Sequence, residues 1–216
     1  MDRADRIASL RETMRHRVAL LDGAMGTMIQ SYRPAEEDFR GDRLGEAQRA
    51  LSGHPELFPA AASGTASDTA ALSTALAAIR DAQKPLKGDN DLLSITRPDI
   101  VYEIHARMLA AGADIVETNT FNATSVSQAD YGLQELVYAL NLQGARLARA
   151  AADDAATDGA AGGLQARERG ARGEAGLPRL VAGVLGPTNR TLSISPDVND
   201  PGLRNVTFEE LAATYS

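Results

Sequence analysis

The sequence predicts an α/β fold with a parallel sheet, and two observations predict it. Three apolar runs each end in polar residues and glycines: Leu21-Asp22-Gly23-Ala24-Met25-Gly26-Thr27, Asp114-Ile115-Val116-Glu117-Thr118-Asn119-Thr120-Phe121, and Val184-Leu185-Gly186-Pro187-Thr188-Asn189-Arg190. A parallel strand is covered on both faces, so its run reads apolar and only its carboxyl tip meets solvent. Between these runs apolar residues recur at helical spacing, which gives the alternation helix, strand, helix, strand.

Residues 5–17 are expected to form an amphipathic helix, with Ile7, Leu10 and Met14 on one face, leading into a first strand over residues 18–21. Pro98 suits a first helical turn because its missing N–H would have no partner there. Val101, Ile104 and Met108 then share a face, Gly112 stops the helix, and a second strand starts at Asp114. A third helix over about residues 132–152 aligns Leu133, Leu136, Val137, Leu140 and Leu147, and a third strand follows over residues 180–185. Thr207 and Glu210 have the spacing of a capping box, with Val206 and Leu211 as its hydrophobic staple, so another helix starts here. A short terminal helix is marginal alone, and three parallel strands leave an open edge. The chain therefore reads as the first part of a larger barrel.

Residues 45–83 are Ala- and Ser-rich, and residues 157–177 are mostly Gly, Ala, Arg and Glu. Apart from a weak stripe at Leu72, Leu76 and Ile79, neither has large apolar side chains at a regular period. Both are expected to be flexible surface insertions, unable to bury enough apolar area to offset the entropy of ordering them.

Composition narrows the function. In 216 residues the formal charge is -7, and the basic residues are scattered, so no nucleic-acid partner is expected. There is no cysteine, which rules out a disulfide framework, a thiol nucleophile and a thiolate metal site within these residues. His16, His54 and His105 are too dispersed to replace one. The amino terminus lacks the apolar core of a secretory signal, and residues 69–79 are far too few to span a bilayer, so a cytoplasmic location without membrane contact is expected.

The three apolar runs, with Ser193-Ile194-Ser195-Pro196-Asp197-Val198-Asn199-Asp200-Pro201 after the last, resemble the N-terminal homocysteine-binding domain of cobalamin-dependent methionine synthases. The resemblance covers residues 18–44, 86–154 and 180–216 and lapses over the two insertions. It implies that residues 1–216 are the N-terminal portion, about three βα units, of a TIM-type (βα)8 barrel. The implied reaction is methyl transfer from methylcobalamin, regenerated from 5-methyltetrahydrofolate, to the sulfur of homocysteine, giving methionine. Zinc held by thiolates activates that sulfur in the family. The zinc cysteines come from later strands, so this fragment is expected to bind neither zinc nor cobalamin tightly and to be inactive alone. Its partners would be homocysteine, the remaining barrel strands and the folate and cobalamin modules. A homocysteine S-methyltransferase using a betaine or sulfonium donor, and an inert truncated interaction module, are the alternatives.

The candidate substrate-binding residues are Asp22, Gly23, Ala24, Gly26, Thr27, Glu117, Asn119, Thr120 and Asn189. Glycines at 23 and 26 let a ligand approach the backbone. In the resembled family the residue matching Asp22 binds the amino group of homocysteine, and nearby backbone N–H groups take its carboxylate. Read without the resemblance, Asp22-Gly23 is also a common turn. Glu117 and Asn119 share one side of the second strand, where Glu117 is either a structural carboxylate or a direct substrate contact. Asn189 belongs to a loop that rims the same mouth or is a rigid turn.

Overall fold

A computed structural model of the chain describes residues 2–58, 65–161 and 178–215. Over these residues the fold is mixed α/β, mostly helical with a small parallel sheet. β1 (Ile115–Glu117) is its centre. On one side β2 (Leu180–Ala182) pairs with it in parallel, matching Ile115 to Leu180, Val116 to Val181 and Glu117 to Ala182. Leu21 makes a single parallel bridge to Ile115. Three parallel segments are compatible with part of a βα barrel.

The ladders are shorter than expected. The first strand, read over residues 18–21, is reduced to the Leu21 bridge and to three backbone bonds, from the Asp114 and Ile115 N–H groups to the Leu20 carbonyl and from Asp22 N–H to that of Ile115. The third strand stops pairing at Ala182, where side chains take over: the Val184 N–H donates to Thr118 Oγ1 at 2.9 Å, and Thr120 Oγ1 donates to the Val184 carbonyl at 3.0 Å.

The sheet is held by two helices. α7 (Pro98–Ala110) begins with the proline and ends before Gly112, whose φ of +109° favours glycine. The short α8 (Ser125–Gln128) and a 3₁₀ turn (Gln134–Leu136) lead into α9 (Val137–Ala161). Val116, the middle residue of β1, is fully buried in a cluster with Leu109 of α7, Ala113 after it, and Ala148, Ala151 and Ala152 of α9. Alternation then turns Ile115 and Glu117 to the opposite face, where they are half-buried.

Residues 45–83 correct the sequence reading over their described part. α4 (Leu44–Ala50) buries Ala47, and α5 (Ala66–Asp81) buries Leu72, Ala75 and Ile79. With Leu51, Leu57 and Phe58, the α5 residues join a core cluster that includes Ile29 of α2 (Met25–Ser31), Phe39 of α3 (Glu36–Arg40) and Leu93 of α6 (Leu93–Thr96). Leu72, Ala75 and Ile79 lie three and four residues apart on one helical face, and an alanine allows closer approach than a larger residue would. Residues 59–64 lie outside the described residues. The other expected insertion, residues 157–177, begins inside α9, and residues 162–177 lie outside the described residues.

α1 (Arg3–His16) forms where the periodicity places it, capped by the Asp2 side chain on the Asp5 N–H, but it buries no residue and leaves Met14 60% exposed. α10 (Phe208–Thr214) starts at the expected capping box of Thr207 and Glu210, with Val206 buried before it. Among the described residues no helix is long and apolar enough to cross a membrane.

Candidate functional site at the carboxyl end of the sheet

The first loop leaves the sheet at Asp22. Its Oδ1 accepts the Glu117 N–H at 2.7 Å, so the turn after the first segment is bonded to the tip of β1. Among the described residues no ion pair gives Asp22 a cation. Burial raises its pKa above the usual carboxylate range, the Glu117 N–H opposes this, and the Glu117 charge adds to the rise. Gly23 faces open space: a Cβ built there has nothing within 4 Å. Ala24 turns the chain into α2 in a left-handed conformation, with φ +62°. Gly23, Ala24 and Thr27 are exposed, and Gly26 is half-buried.

The second loop places its polar side chains inward. Asn119 is buried and donates from Nδ2 to the Asn90 carbonyl at 2.9 Å and to Ser94 Oγ at 3.1 Å. Thr120 is buried too, and its hydroxyl meets that of Thr118 at 2.7 Å. These two residues hold the strand tip together. Gly144 of α9 packs directly behind them, where a Cβ would meet Thr120 Cγ2 at 2.6 Å.

The third loop lies against the second. A Cβ on Gly186 would meet the Phe121 carbonyl oxygen at 2.1 Å, so this approach requires glycine. Tyr215, beyond α10, donates its hydroxyl to the Gly186 carbonyl at 2.6 Å. Asn189 is exposed, and its side chain donates to Asp130, which also pairs with Arg190 at 3.0 Å. The structure thus bonds Asp22 to Glu117 and joins Asn189 to Asp130.

Sequence reasoning missed a buried acidic turn beside these loops. Asp89 and Asp91 are 1% and 2% exposed. Asp91 Oδ2 accepts the Asn122 N–H at 2.5 Å, and Asp89 Oδ1 accepts Gln128 Nε2 at 3.1 Å. Burial pushes Asp89 up to about 6; burial, and then the Asp89 charge, push Asp91 up to about 7. The signal was the run Gly88-Asp89-Asn90-Asp91 immediately before Leu92-Leu93, which reads locally as a solvated turn.

The sequence model of the homocysteine S-methyltransferase family matches residues 19–216, which takes in all three loops. This chain belongs to the homocysteine S-methyltransferase family. That membership makes homocysteine methylation the relevant chemistry and the chain a methyltransferase-family protein.

The residues of this chain do not themselves supply the thiolate donors of the zinc site that the resemblance implies. The sequence has no cysteine. His16 is bonded to Glu12 at 3.0 Å, and the two ring nitrogens of His54 meet Glu56 and Asp154 at 2.9 Å each. His105 is buried with neither ring nitrogen bonded, and burial pulls its pKa down to about 4. Among the described residues no group of three metal-binding side chains is assembled.

Proposed function

We propose that this chain is the homocysteine-binding part of a cobalamin-dependent methionine synthase, with further βα units completing a barrel over its exposed apolar edge. Val18 and Leu185, each 79% exposed, and Leu21, 53% exposed, are the surface such units would cover.

The observation that carries the substrate reading is Asp22. A half-buried carboxylate beside Glu117, without a basic partner among the described residues, is a poor structural choice and a good receptor for an ammonium. The substrate ammonium would offset both the burial and the Glu117 charge. Open space at Gly23 gives it access, and the backbone N–H groups of the same loop are the donors a substrate carboxylate needs. The amino-acid end of homocysteine is then fixed here, with its sulfur directed away from Asp22.

Methylation requires the thiolate, and a thiol of pKa about 8.5 is mostly protonated at neutral pH. The thiol proton passes to a base, the sulfur lone pair forms the new bond to the methyl group, and the electron pair of the broken methyl–donor bond would stay with the donor, giving methionine. Under this reading, sulfur activation and the methylcobalamin donor are supplied by residues outside this chain, and these residues alone do not turn over.

Calorimetric titration with homocysteine and with 4-mercaptobutanoate, which lacks only the amino group, tests the proposal. Homocysteine should bind more tightly by about 1.5 to 3 kcal/mol, the range for a hydrogen bond to a charged group. Equal affinities, or no homocysteine binding, would remove the role given to Asp22.

A further inference from the structure

The turn Asp89-Asn90-Asp91 is bonded to the second loop of the site at two points. The Asn90 carbonyl accepts the Asn119 side chain at 2.9 Å, and Asp91 Oδ2 accepts the Asn122 N–H at 2.5 Å. The Asn90 side-chain amide faces Gly26 of α2, 3.8 Å from where a Cβ on that glycine would stand. Gln128, fully buried, donates from Nε2 both to Asp89 at 3.1 Å and to the Asn122 carbonyl at 3.2 Å, closing the cluster.

We propose that Asn90 and Asp91 are positioning residues for the homocysteine site, holding residues 119–122 of the second loop in place at the tip of β1. The proposal rests on the homocysteine reading above and adds to it two residues that do not touch substrate.

The cluster is short of hydrogens. Asp89 Oδ2 and Gln128 Oε1 are buried acceptors without a hydrogen-bond partner among the described residues, a deficit that a protonated carboxyl relieves. The ionisable group facing the two carboxylates is the Tyr131 phenol, raised in pKa by burial, Asp89, Asp130 and Asp91. Asp130 is itself engaged by Arg190, and Lys84 Nζ donates to the Ala129 and Asp130 carbonyls. Among the described residues no ion pair brings a cation to Asp89 or Asp91. The brace therefore holds when the pair carries a proton and loosens when both carboxylates ionise, which the raised Asp91 pKa of about 7 places near neutrality.

The test uses the full 216-residue chain with Asp91→Ala and Asp91→Asn. In the free proteins, Asp91→Ala should speed amide exchange at Asn122 about tenfold while α7 amides keep their rates; Asp91→Asn retains an acceptor and should restore slow exchange. Homocysteine is then titrated at pH 6 and pH 8. If only the protonated form is competent, the ratio of Asp91→Asn affinity to wild-type affinity rises about tenfold between them, since affinity scales with the competent fraction. Unchanged Asn122 exchange in Asp91→Ala, or an affinity ratio that does not move with pH, overturns the proposal. Absence of homocysteine binding to the wild type overturns the proposed function instead, and the exchange rates still decide whether Asp91 holds the loop.

Discussion

Asp114 and Asp22 lie at opposite ends of the same small sheet, and their surroundings are opposite too. Asp114, at the amino end, accepts both terminal nitrogens of Arg17 at 2.7 Å, Arg179 at 3.1 Å and the Leu20 N–H at 2.9 Å. Chiefly through the Arg17 hydrogen bonds, its pKa is held below the usual carboxylate range. Asp22, at the carboxyl end, accepts the Glu117 N–H, and burial raises its pKa. Charge is neutralised where the strands begin, whereas among the described residues no ion pair compensates Asp22 where they end. The difference separates a clamp that joins three segments from the carboxylate that the proposed function assigns to the substrate ammonium.

The largest effect should come from breaking the clamp. The Asp114 side chain is 7% exposed and that of Arg179 11%, so Asp114→Ala deprives two guanidinium groups of a shared, nearly buried carboxylate. Losing one partner of a buried ion pair costs about 3 to 5 kcal/mol. Urea unfolding should show that loss, and a change below about 1 kcal/mol, the level of a surface pair, would mean the two ends do not differ in this way.

A smaller effect, opposite in sign at the two ends, is expected from pH. The depressed pKa of Asp114 contributes stability that is present above its unfolded value and lost as pH falls through the folded one. Asp91 behaves in reverse: raised from 3.8 to about 7, it favours folding below about pH 4, and that contribution is lost as pH rises towards 7. Relative to wild type, Asp91→Asn should therefore gain stability between pH 4 and pH 7.5. Asp114→Asn should lose stability relative to wild type over a lower interval, as pH rises to about 4, because the contribution of Asp114 is already present above its unfolded value. Thermal unfolding at the ends of each interval checks both, and changes of the same sign would break the comparison.

The clamp and the site were not equally legible in the sequence. Asp22 and Glu117 stand out locally, because each is a carboxylate at the end of an apolar run. The α7 start at Pro98 and the capping box at Thr207 are local signals too, and both elements form there. Asp114 also begins such a run, but its partners Arg17 and Arg179 are 97 and 65 residues away, so only the folded chain identifies the clamp. Asp89 and Asp91 were hidden for the same reason: burial by Gln128 and Asn122 is a tertiary event, and the local sequence reads as solvated. The stripe at Leu72 and Ile79 was visible but undervalued, since Ala75 contributes to the core without the bulk that marks a core position. Asn119 and Thr120 fall on the predicted strand tip, yet their side chains are used in holding it.

Side-by-side measurement of Asp22→Asn and Asp114→Asn, by homocysteine calorimetry and urea unfolding, tests the division between the two ends most directly. Asp22→Asn should weaken homocysteine binding by about 1.5 to 3 kcal/mol, the worth of a hydrogen bond to a charged group. At pH 7 it should leave the unfolding free energy unchanged or raised, because it removes an ionised carboxylate that burial disfavours. Asp114→Asn should lower the unfolding free energy and, while the chain remains folded, leave homocysteine affinity nearly intact. An Asp22→Asn chain that binds homocysteine as wild type does but unfolds more easily would make Asp22 a second structural clamp and contradict the account.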